Sequence, residues 1–190
     1  MDYSPARRSA ILTAQAKVQL KPVYLDTETT GLETGDQVVD ICILDHDGTV
    51  LVDSLVNPGR AIPLTATRIH GITDEMVADA PTWAELWPEI GAALAGRRVG
   101  VYNAEFDLKL MKQSHRKYKL RWPLADADFF CVMKLYAQFY GEWNSYYGAY
   151  RWHTLEQAGR QCRIALPNAH RARADALLAR AVLLYMAEQG

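Results

Sequence analysis

Three segments rich in β-branched and apolar residues follow one another early in the chain, and they constrain the fold more than any other feature. The apolar stretch Val23–Asp26 leads into threonine-rich sequence, as a buried strand does. Two further β-rich segments, Val38–Leu44 and Thr49–Val56, are separated by a short run of Asp and Gly residues that favours a turn. The sequence therefore predicts an antiparallel meander of three strands.

The pattern after the meander alternates between helix and strand. Apolar residues in Thr82–Leu94 recur at helical spacing, Gly96 marks the end of that helix, and Arg98–Tyr102 is a short apolar strand. A strand, a helix and another strand in this order imply a parallel addition to the sheet. Four more helices are predicted, over Ala104–Met111, Ala127–Tyr140, Thr154–Cys162 and Ala172–Glu188. The fold class is thus α/β, a mixed sheet with helices packed on it.

A chain of 190 residues, 49% apolar and 23% charged, fits one globular domain. We predict an N-terminal arm over residues 1–21, where Ser4 and Pro5 could start a short basic helix, and one domain over residues 22–190. Three widely separated cysteines indicate neither a disulfide framework nor a zinc site, which favours a reducing cytoplasmic setting. We expect no membrane association, because the chain has no long apolar run.

Acidic residues form a pattern that indicates metal chemistry. Asp26 and Glu28 lie two residues apart at the end of an apolar strand, so both side chains project from one face. Two carboxylates held this close either gain a raised pKa or recruit a cation, and oxygen ligands favour Mg²⁺ or Mn²⁺. Asp107 follows the later strand, where it could cap a helix or point back toward Asp26.

His170 and Asp175 form a second element of the pattern. Their spacing does not place them on one face of a helix. It fits a histidine just before the helix that begins near Ala172, with Asp175 in the first turns of that helix. Four acids and one histidine would then converge at one end of the sheet, as two-metal phosphodiester hydrolysis requires.

Four segments resemble motifs of the DnaQ-like, or DEDDh, 3′→5′ exonucleases. Asp26–Leu32 resembles the first exonuclease motif, Tyr102–Asp107 the second and His170–Ala176 the third, and Ile69–Thr73 is similar to a segment between the first two. The chain departs from the family pattern at two places, which bear on substrate preference: Val101-Tyr102 replaces Gly-His, and Arg173-Ala174 precedes the final Asp.

The resemblance implies a ribonuclease-H-like three-layer fold with a mixed five-stranded sheet. It also implies two divalent metal ions, Mg²⁺ or Mn²⁺, with Asp26 bridging both, Glu28 and Asp175 holding the first and Asp107 the second. His170 would be the general base, a role suited to an imidazole that titrates near neutral pH. The products would be nucleoside 5′-monophosphates released from a 3′ end, with single-stranded DNA favoured.

The same resemblance supplies candidate substrate-binding residues. Thr27, Thr29 and Leu32 would surround the terminal nucleotide, and Asn103 of the second motif belongs to the same set. Phe106 could stack on a base or pack in the core. His70 could contact the terminal nucleotide or order its loop.

Two surface features have alternative readings. The basic stretch Lys112–Arg121 could be a phosphate-contacting rim or a solvated helix face. An aromatic run before the last two helices could stack on bases or pack between helices. Its members are Trp143, Tyr146, Tyr147, Tyr150 and Trp152.

Two other functions use the same family resemblance. One is an exoribonuclease that trims RNA or short oligoribonucleotides, which differs only in how the site treats the 2′-hydroxyl. The other is a proofreading or accessory subunit whose partner is a second copy of the chain or a polymerase or repair protein. The basic arm of residues 1–21 is the sequence feature that supports this second function.

Overall fold

The computed structural model describes residues 4–165 and 170–190, and a five-stranded mixed sheet lies at its centre. The strands stand in the order β3-β2-β1-β4-β5. β1 pairs antiparallel with β2, and β2 pairs antiparallel with β3, whereas β4 pairs parallel with both β1 and β5. The strands are β1 Val23–Thr29, β2 Val38–Leu44, β3 Val50–Leu55, β4 Val99–Val101 and β5 Phe129–Cys131. The predicted meander and the α/β fold class are confirmed.

Helices cover both faces of this sheet. They are α1 Pro5–Gln19, α2 Leu64–His70, α3 Asp74–Val77, α4 Trp83–Leu94, α5 Ala104–Lys117, α6 Val132–Tyr140, α7 Leu155–Gln161 and α8 Ala172–Ala187, with a 3-10 turn at Asp126–Asp128. Side chains from α1, α6, α7 and α8 form the core on one face, and α4 and α5 pack on the other. Within the described part of the chain, no helix is long and apolar enough to cross a membrane.

Two helices begin with a capping box, of which the one at Thr154 is predicted from the sequence. Thr82 and Glu85 form a capping box at the start of α4, and Thr154 and Gln157 form another at the start of α7. In each box the threonine hydroxyl accepts a hydrogen bond from a backbone N–H in the first turn, while the longer side chain accepts one from the threonine N–H. These bonds satisfy helix-end donors that would otherwise lack partners.

The predicted helix over Ala127–Tyr140 is wrong in its first part. Phe129–Cys131 forms strand β5, which pairs in parallel with β4, and α6 begins only at Val132. The ring of Phe130 crosses Gly100, where an added Cβ would lie 2.8 Å from the ring edge. Pairing at the open edge of the sheet therefore outweighs the helical spacing of the apolar residues in this short segment.

Residues 5–19 form a helix that packs onto the domain. Ser4 caps α1 and Pro5 is its first residue, as the sequence indicates. Ala10, Ile11 and Ala14 are buried against the core that α6 and α8 also build. The segment that the sequence assigns to an N-terminal arm thus contributes apolar side chains to the main core.

Candidate active site

The end of β1 presents two carboxylates that meet a third from α8. Asp26 and Glu28 lie on the same face of β1, and buried Asp175 lies in the first turn of α8. One oxygen of each side chain can be chosen so that all three lie within 4.8 Å of one another. The structure thus brings together three of the four predicted metal ligands.

Asp107 lies in the same cleft but outside this three-oxygen group. It is buried in the first turn of α5, where its Oδ1 accepts hydrogen bonds from the backbone N–H of Thr27 at 3.1 Å and from the Thr27 hydroxyl at 2.8 Å. Thr27 therefore orients Asp107, and its hydroxyl hydrogen is already used. Asp107 points back over β1, which is the orientation expected if it contributes to a metal site with Asp26.

The electrostatics of this cleft disfavour an uncompensated set of carboxylates. Burial, followed by repulsion from neighbouring acids, raises the pKa of Asp26 well above its ordinary value and that of Glu28 to about 8. Burial raises the pKa of Asp107 to about 7, although the hydrogen bonds from Thr27 oppose that shift. A divalent cation would relieve this repulsion, and an all-oxygen donor set suits Mg²⁺ or Mn²⁺. The residues therefore fit the metal ions that the family implies.

His170 lines the same cleft from the segment just before α8. It is exposed and adopts a left-handed backbone conformation with φ 46°. The cleft has a volume of about 310 Å³, and its wall also includes Asn103 and Phe106. All five predicted catalytic side chains thus face one cavity.

The start of α8 is anchored by an acid that the sequence analysis missed. Asp40 on β2 is buried, and its Oδ2 accepts a hydrogen bond from Arg171 Nε at 2.9 Å and a longer one from the Ala172 N–H at 3.4 Å. Arg171 directly follows His170, so this ion pair fixes the backbone on which His170 is carried. The available signal was the single acid inside the otherwise apolar strand Val38–Leu44.

A second cleft of about 480 Å³ adjoins the carboxylates. Its lining contains five of the six predicted substrate-binding residues, namely Thr27, Thr29, Leu32, His70 and Phe106. Phe106, Thr27 and Glu28 line both clefts, so Phe106 is a wall between them. Phe106 is half-buried, because its side chain packs against the core under α5 and also lines both cavities.

The loop that carries Leu32 is held in place by hydrogen bonds to its backbone. Asp36 accepts bonds from the Thr30 hydroxyl at 2.7 Å and from the Glu33 N–H at 2.8 Å. Lys109 Nζ, on α5, donates to the Leu32 carbonyl at 3.0 Å. Leu32 itself is 68% exposed, so the loop presents an apolar side chain at the mouth of the second cleft.

Two of the predicted substrate contacts, His70 and Asn103, differ in burial and in hydrogen bonding. His70 is buried, its Nδ1 accepts from the Ile72 N–H at 3.0 Å, and its Nε2 lies 3.3 Å from the Thr29 carbonyl. These partners favour loop ordering by His70, because a hydrogen bond to a nucleotide would replace one of them. Asn103 is exposed at the N-cap position of α5, and its side chain makes no capping bond.

The sequence of this chain is similar to those of known nucleases. The RNase T exonuclease family model matches residues 23–183, which span every element of the sheet and the catalytic cleft. The chain belongs to this family. It is a DnaQ-like hydrolytic exonuclease of the ribonuclease-H-like superfamily.

Three relatives illustrate the range of this exonuclease family. The chain is 34% identical to an uncharacterized exonuclease, CP81, of Escherichia phage 186, over 96% of this chain and 97% of that protein. It is 33% identical to the DNA polymerase III subunit epsilon of Rickettsia felis, but that match covers 48% of this chain and 43% of the subunit. A solved structure of exonuclease X in complex with 5′ overhanging duplex DNA is 26% identical, with a TM-score of 0.65 over 88% of this chain and 92% of that one.

Proposed function

We propose that this DnaQ-like exonuclease removes nucleoside 5′-monophosphates from the 3′ end of a nucleic acid strand, with unpaired DNA ends favoured, and that it depends on two divalent metal ions. One observation supports this most: Asp26, Glu28 and Asp175 converge in a cleft that Asp107 and His170 also line. Three carboxylates close enough to share a cation, beside an exposed imidazole, are the groups that metal-assisted hydrolysis of a phosphodiester requires.

The carboxylates divide naturally into two ligand sets. Asp26, Glu28 and Asp175 would hold one ion, and Asp26 with the second carboxylate oxygen of Asp107 would hold the other. Bound Mg²⁺ or Mn²⁺ would supply positive charge that neutralises the phosphate and stabilises the charge developing on the leaving oxygen. Thr27 keeps Asp107 in a fixed orientation through two hydrogen bonds, which limits the geometries that the second set can adopt.

His170 would accept the proton of the attacking water. Its ring is exposed at the edge of the catalytic cleft, and the Asp40–Arg171 pair fixes the backbone next to it. Because general base catalysis typically contributes about 10² to 10⁴ in rate, loss of this ring should lower kcat by about that factor.

The second cleft would hold the terminal nucleotide. Its volume of about 480 Å³ is within the usual range for small-molecule sites. Leu32 and Phe106 would provide apolar surface for the base and sugar, and Thr29 is buried, with its hydroxyl donating to the Gly31 carbonyl at 2.8 Å. The cleft adjoins the acids through Glu28, so the phosphate on the 5′ side of that nucleotide would reach them.

Digestion of matched 5′-labelled oligonucleotides tests the proposal. Single-stranded DNA, duplex DNA and RNA of one sequence are incubated with the protein in Mg²⁺, in Mn²⁺ and in EDTA. We expect a metal-dependent ladder that shortens from the 3′ end, with single-stranded DNA degraded fastest. Preference for the RNA strand would instead assign the site to RNA trimming.

Three variants control this digestion. Asp26→Ala and His170→Ala should each remove the ladder or slow it by about 10² or more. Asp79→Ala, which changes an exposed acid outside both clefts, should leave the rate unchanged. Cleavage that persists at the wild-type rate in Asp26→Ala would contradict the proposed site.

A further inference from the structure

The aromatic run before α7 forms a folded hairpin. Trp143–Asn144 pairs antiparallel with Ala149–Tyr150, and we call residues 142–152 the aromatic hairpin. At its tip, Asn144 Oδ1 accepts hydrogen bonds from the backbone N–H groups of Tyr146 at 3.0 Å and Tyr147 at 3.3 Å. These bonds fix the backbone from which both tyrosine rings project.

Four rings of this hairpin lie outside the described apolar core of the domain. Trp143 is 57% exposed, Tyr146 86%, Tyr147 76% and Trp152 59%. The hairpin rings contact each other instead: Tyr146 and Tyr147 lie perpendicular with centroids 4.8 Å apart, and Trp143 lies edge-on to Tyr150 at 5.1 Å. Packing between helices therefore does not explain them. Large exposed aromatic side chains grouped on one short hairpin are typical of a binding surface.

The hairpin is continuous with the wall of the catalytic cleft. The Tyr102 hydroxyl, at the end of β4, donates to the carbonyls of His153 and Thr154, the residues that follow the hairpin. Thr154 itself lines the cleft. This connection fixes the base of the hairpin at the rim of the site.

A second contact joins the hairpin to the other side of the cleft. Lys134 Nζ lies 5.9 Å from the centre of the Trp152 ring and pairs with Glu105 on α5. Glu105 directly precedes Phe106, the wall between the two clefts. The Trp152 ring is thus linked through two side chains to the α5 turn that borders the site.

We infer that the aromatic hairpin is a stacking surface for the unpaired bases of the strand whose 3′ end occupies the catalytic cleft. The inference rests on the proposed function and specifies its substrate as a single strand that extends several nucleotides beyond the site. Aromatic rings stack on any base, so such a surface holds a strand without selecting its sequence. A chain of net charge −1 lacks the general positive field by which many proteins hold nucleic acid, and stacking supplies affinity by another route.

The dependence of activity on substrate length tests this inference. kcat and KM are measured in Mg²⁺ for unpaired oligodeoxynucleotides from a dinucleotide to about twelve nucleotides, since single-strand sites span roughly 4 to 16. In wild-type protein, KM should fall as the strand becomes long enough to reach the hairpin. In Tyr146→Ala/Tyr147→Ala, KM for the long substrates should rise roughly 5- to 150-fold for each stacked base lost, with kcat nearly constant.

Two further proteins separate stacking from other effects. Tyr146→Phe/Tyr147→Phe keeps both rings and should retain the wild-type dependence on length. Leu12→Ala removes a similarly exposed apolar side chain on α1 and should also retain it.

The outcomes distinguish the two proposals. A length dependence that is unchanged in the double alanine variant would overturn the stacking surface while leaving the exonuclease assignment intact. Wild-type protein that hydrolyses no substrate, the dinucleotide included, would instead overturn the proposed function on which the inference rests.

Discussion

At the scale of single residues, the ion pair between buried Asp40 and partly exposed Arg171 holds the backbone next to His170, the proposed general base. Asp40 is buried on β2, and Arg171 Nε lies 2.9 Å from its Oδ2 while the guanidinium remains partly exposed. Burial raises the pKa of Asp40, whereas the hydrogen bond and charge of Arg171 lower it. Removing Arg171 would leave a buried carboxylate without its cation, a change that destabilises proteins.

We therefore expect Arg171→Ala to lower both stability and turnover. The free energy of unfolding should fall by about 1 to 3 kcal/mol, measured by urea denaturation, because a buried acceptor loses its partner. kcat should fall while KM for the dinucleotide changes little, since the position of His170 is disturbed. Arg171→Lys should restore part of the free energy of unfolding and part of kcat.

The same helix offers a matched control. Arg173 pairs with Asp53 at 3.3 Å, but its side chain is 59% exposed. Exposed pairs contribute about 0 to 1 kcal/mol, so Arg173→Ala should change neither quantity appreciably. If Arg171→Ala and Arg173→Ala lower the free energy of unfolding and kcat equally, buried Asp40 does not need Arg171 as its partner.

The sequence predicts the acids themselves but not the residues that orient them. Asp26, Glu28, Asp107, His170 and Asp175 follow from strand ends, helix starts and motif resemblance, all of which are local. The bonds from Thr27 to Asp107 and from Arg171 to Asp40 join residues that are 80 and 131 positions apart. No periodicity reports such a pairing, because it depends on which strands are neighbours.

At the scale of elements, the loop after β1 depends on a close approach at Gly31. A Cβ on Gly31 would lie 2.6 Å from Asp36 Oδ2, the atom that accepts the Glu33 N–H. Gly31→Ala should therefore displace the Asp36 carboxylate and loosen the loop that carries Leu32. We expect KM for oligonucleotides to rise and the free energy of unfolding to fall by about 1.5 to 3 kcal/mol.

Gly91→Ala is the matched control for that substitution. Gly91 lies in α4, where an added Cβ would meet Trp87 at 3.4 Å, an ordinary contact. Alanine in a helix interior should stabilise the protein by up to about 1 kcal/mol and leave KM unchanged. If Gly31→Ala is as active and as stable as the wild-type protein, the close approach of residue 31 to Asp36 is not required.

Helix α1 can be tested by two adjacent residues. Ile11 is 3% exposed and Leu12 is 66% exposed on the same helix. Ile11→Ala should lower the free energy of unfolding by about 2 to 5 kcal/mol, whereas Leu12→Ala should change it by less than about 0.5 kcal/mol. Thermal and urea unfolding measure both. Similar small effects would support a peripheral arm over residues 1–21.

Local sequence patterns predict some elements correctly and fail at one short segment. Strong local signals predict β2 at its observed bounds and the start of α7 at its capping box. The segment Phe129–Cys131 has only three residues and continues into a helix, so its apolar spacing fits a helix as well. Its strand conformation depends on β4, with Phe129, Phe130 and Cys131 paired to Val99, Gly100 and Val101.

At the scale of the whole molecule, the acid cluster makes folding and metal binding interdependent. In metal-free protein the pKa of Glu28 is raised from 4.5 to about 8 and that of Asp107 from 3.8 to about 7. At pH values between the ordinary and the raised pKa of each group, the folded state binds more protons than the unfolded state. The contribution of these groups to stability is therefore fully present below about pH 4 and is lost as pH rises toward 8.

Divalent ions compete with those protons, so the stabilisation by metal should grow with pH. We expect the difference in Tm between protein in Mg²⁺ and protein in EDTA to be small at pH 5 and to widen up to pH 8, because fewer carboxylates are protonated at the higher pH. Binding at 100 times the Kd stabilises the fold by about 2.7 kcal/mol, which sets the size of the expected effect. In Glu28→Gln, which removes both a ligand and a titrating group, the difference should stay small and nearly constant. Asp79→Ala should behave as wild type does, because it leaves the cluster intact. A difference in Tm that is the same at pH 5 and pH 8 in the wild-type protein would mean that protons and metal ions do not compete for one set of carboxylates.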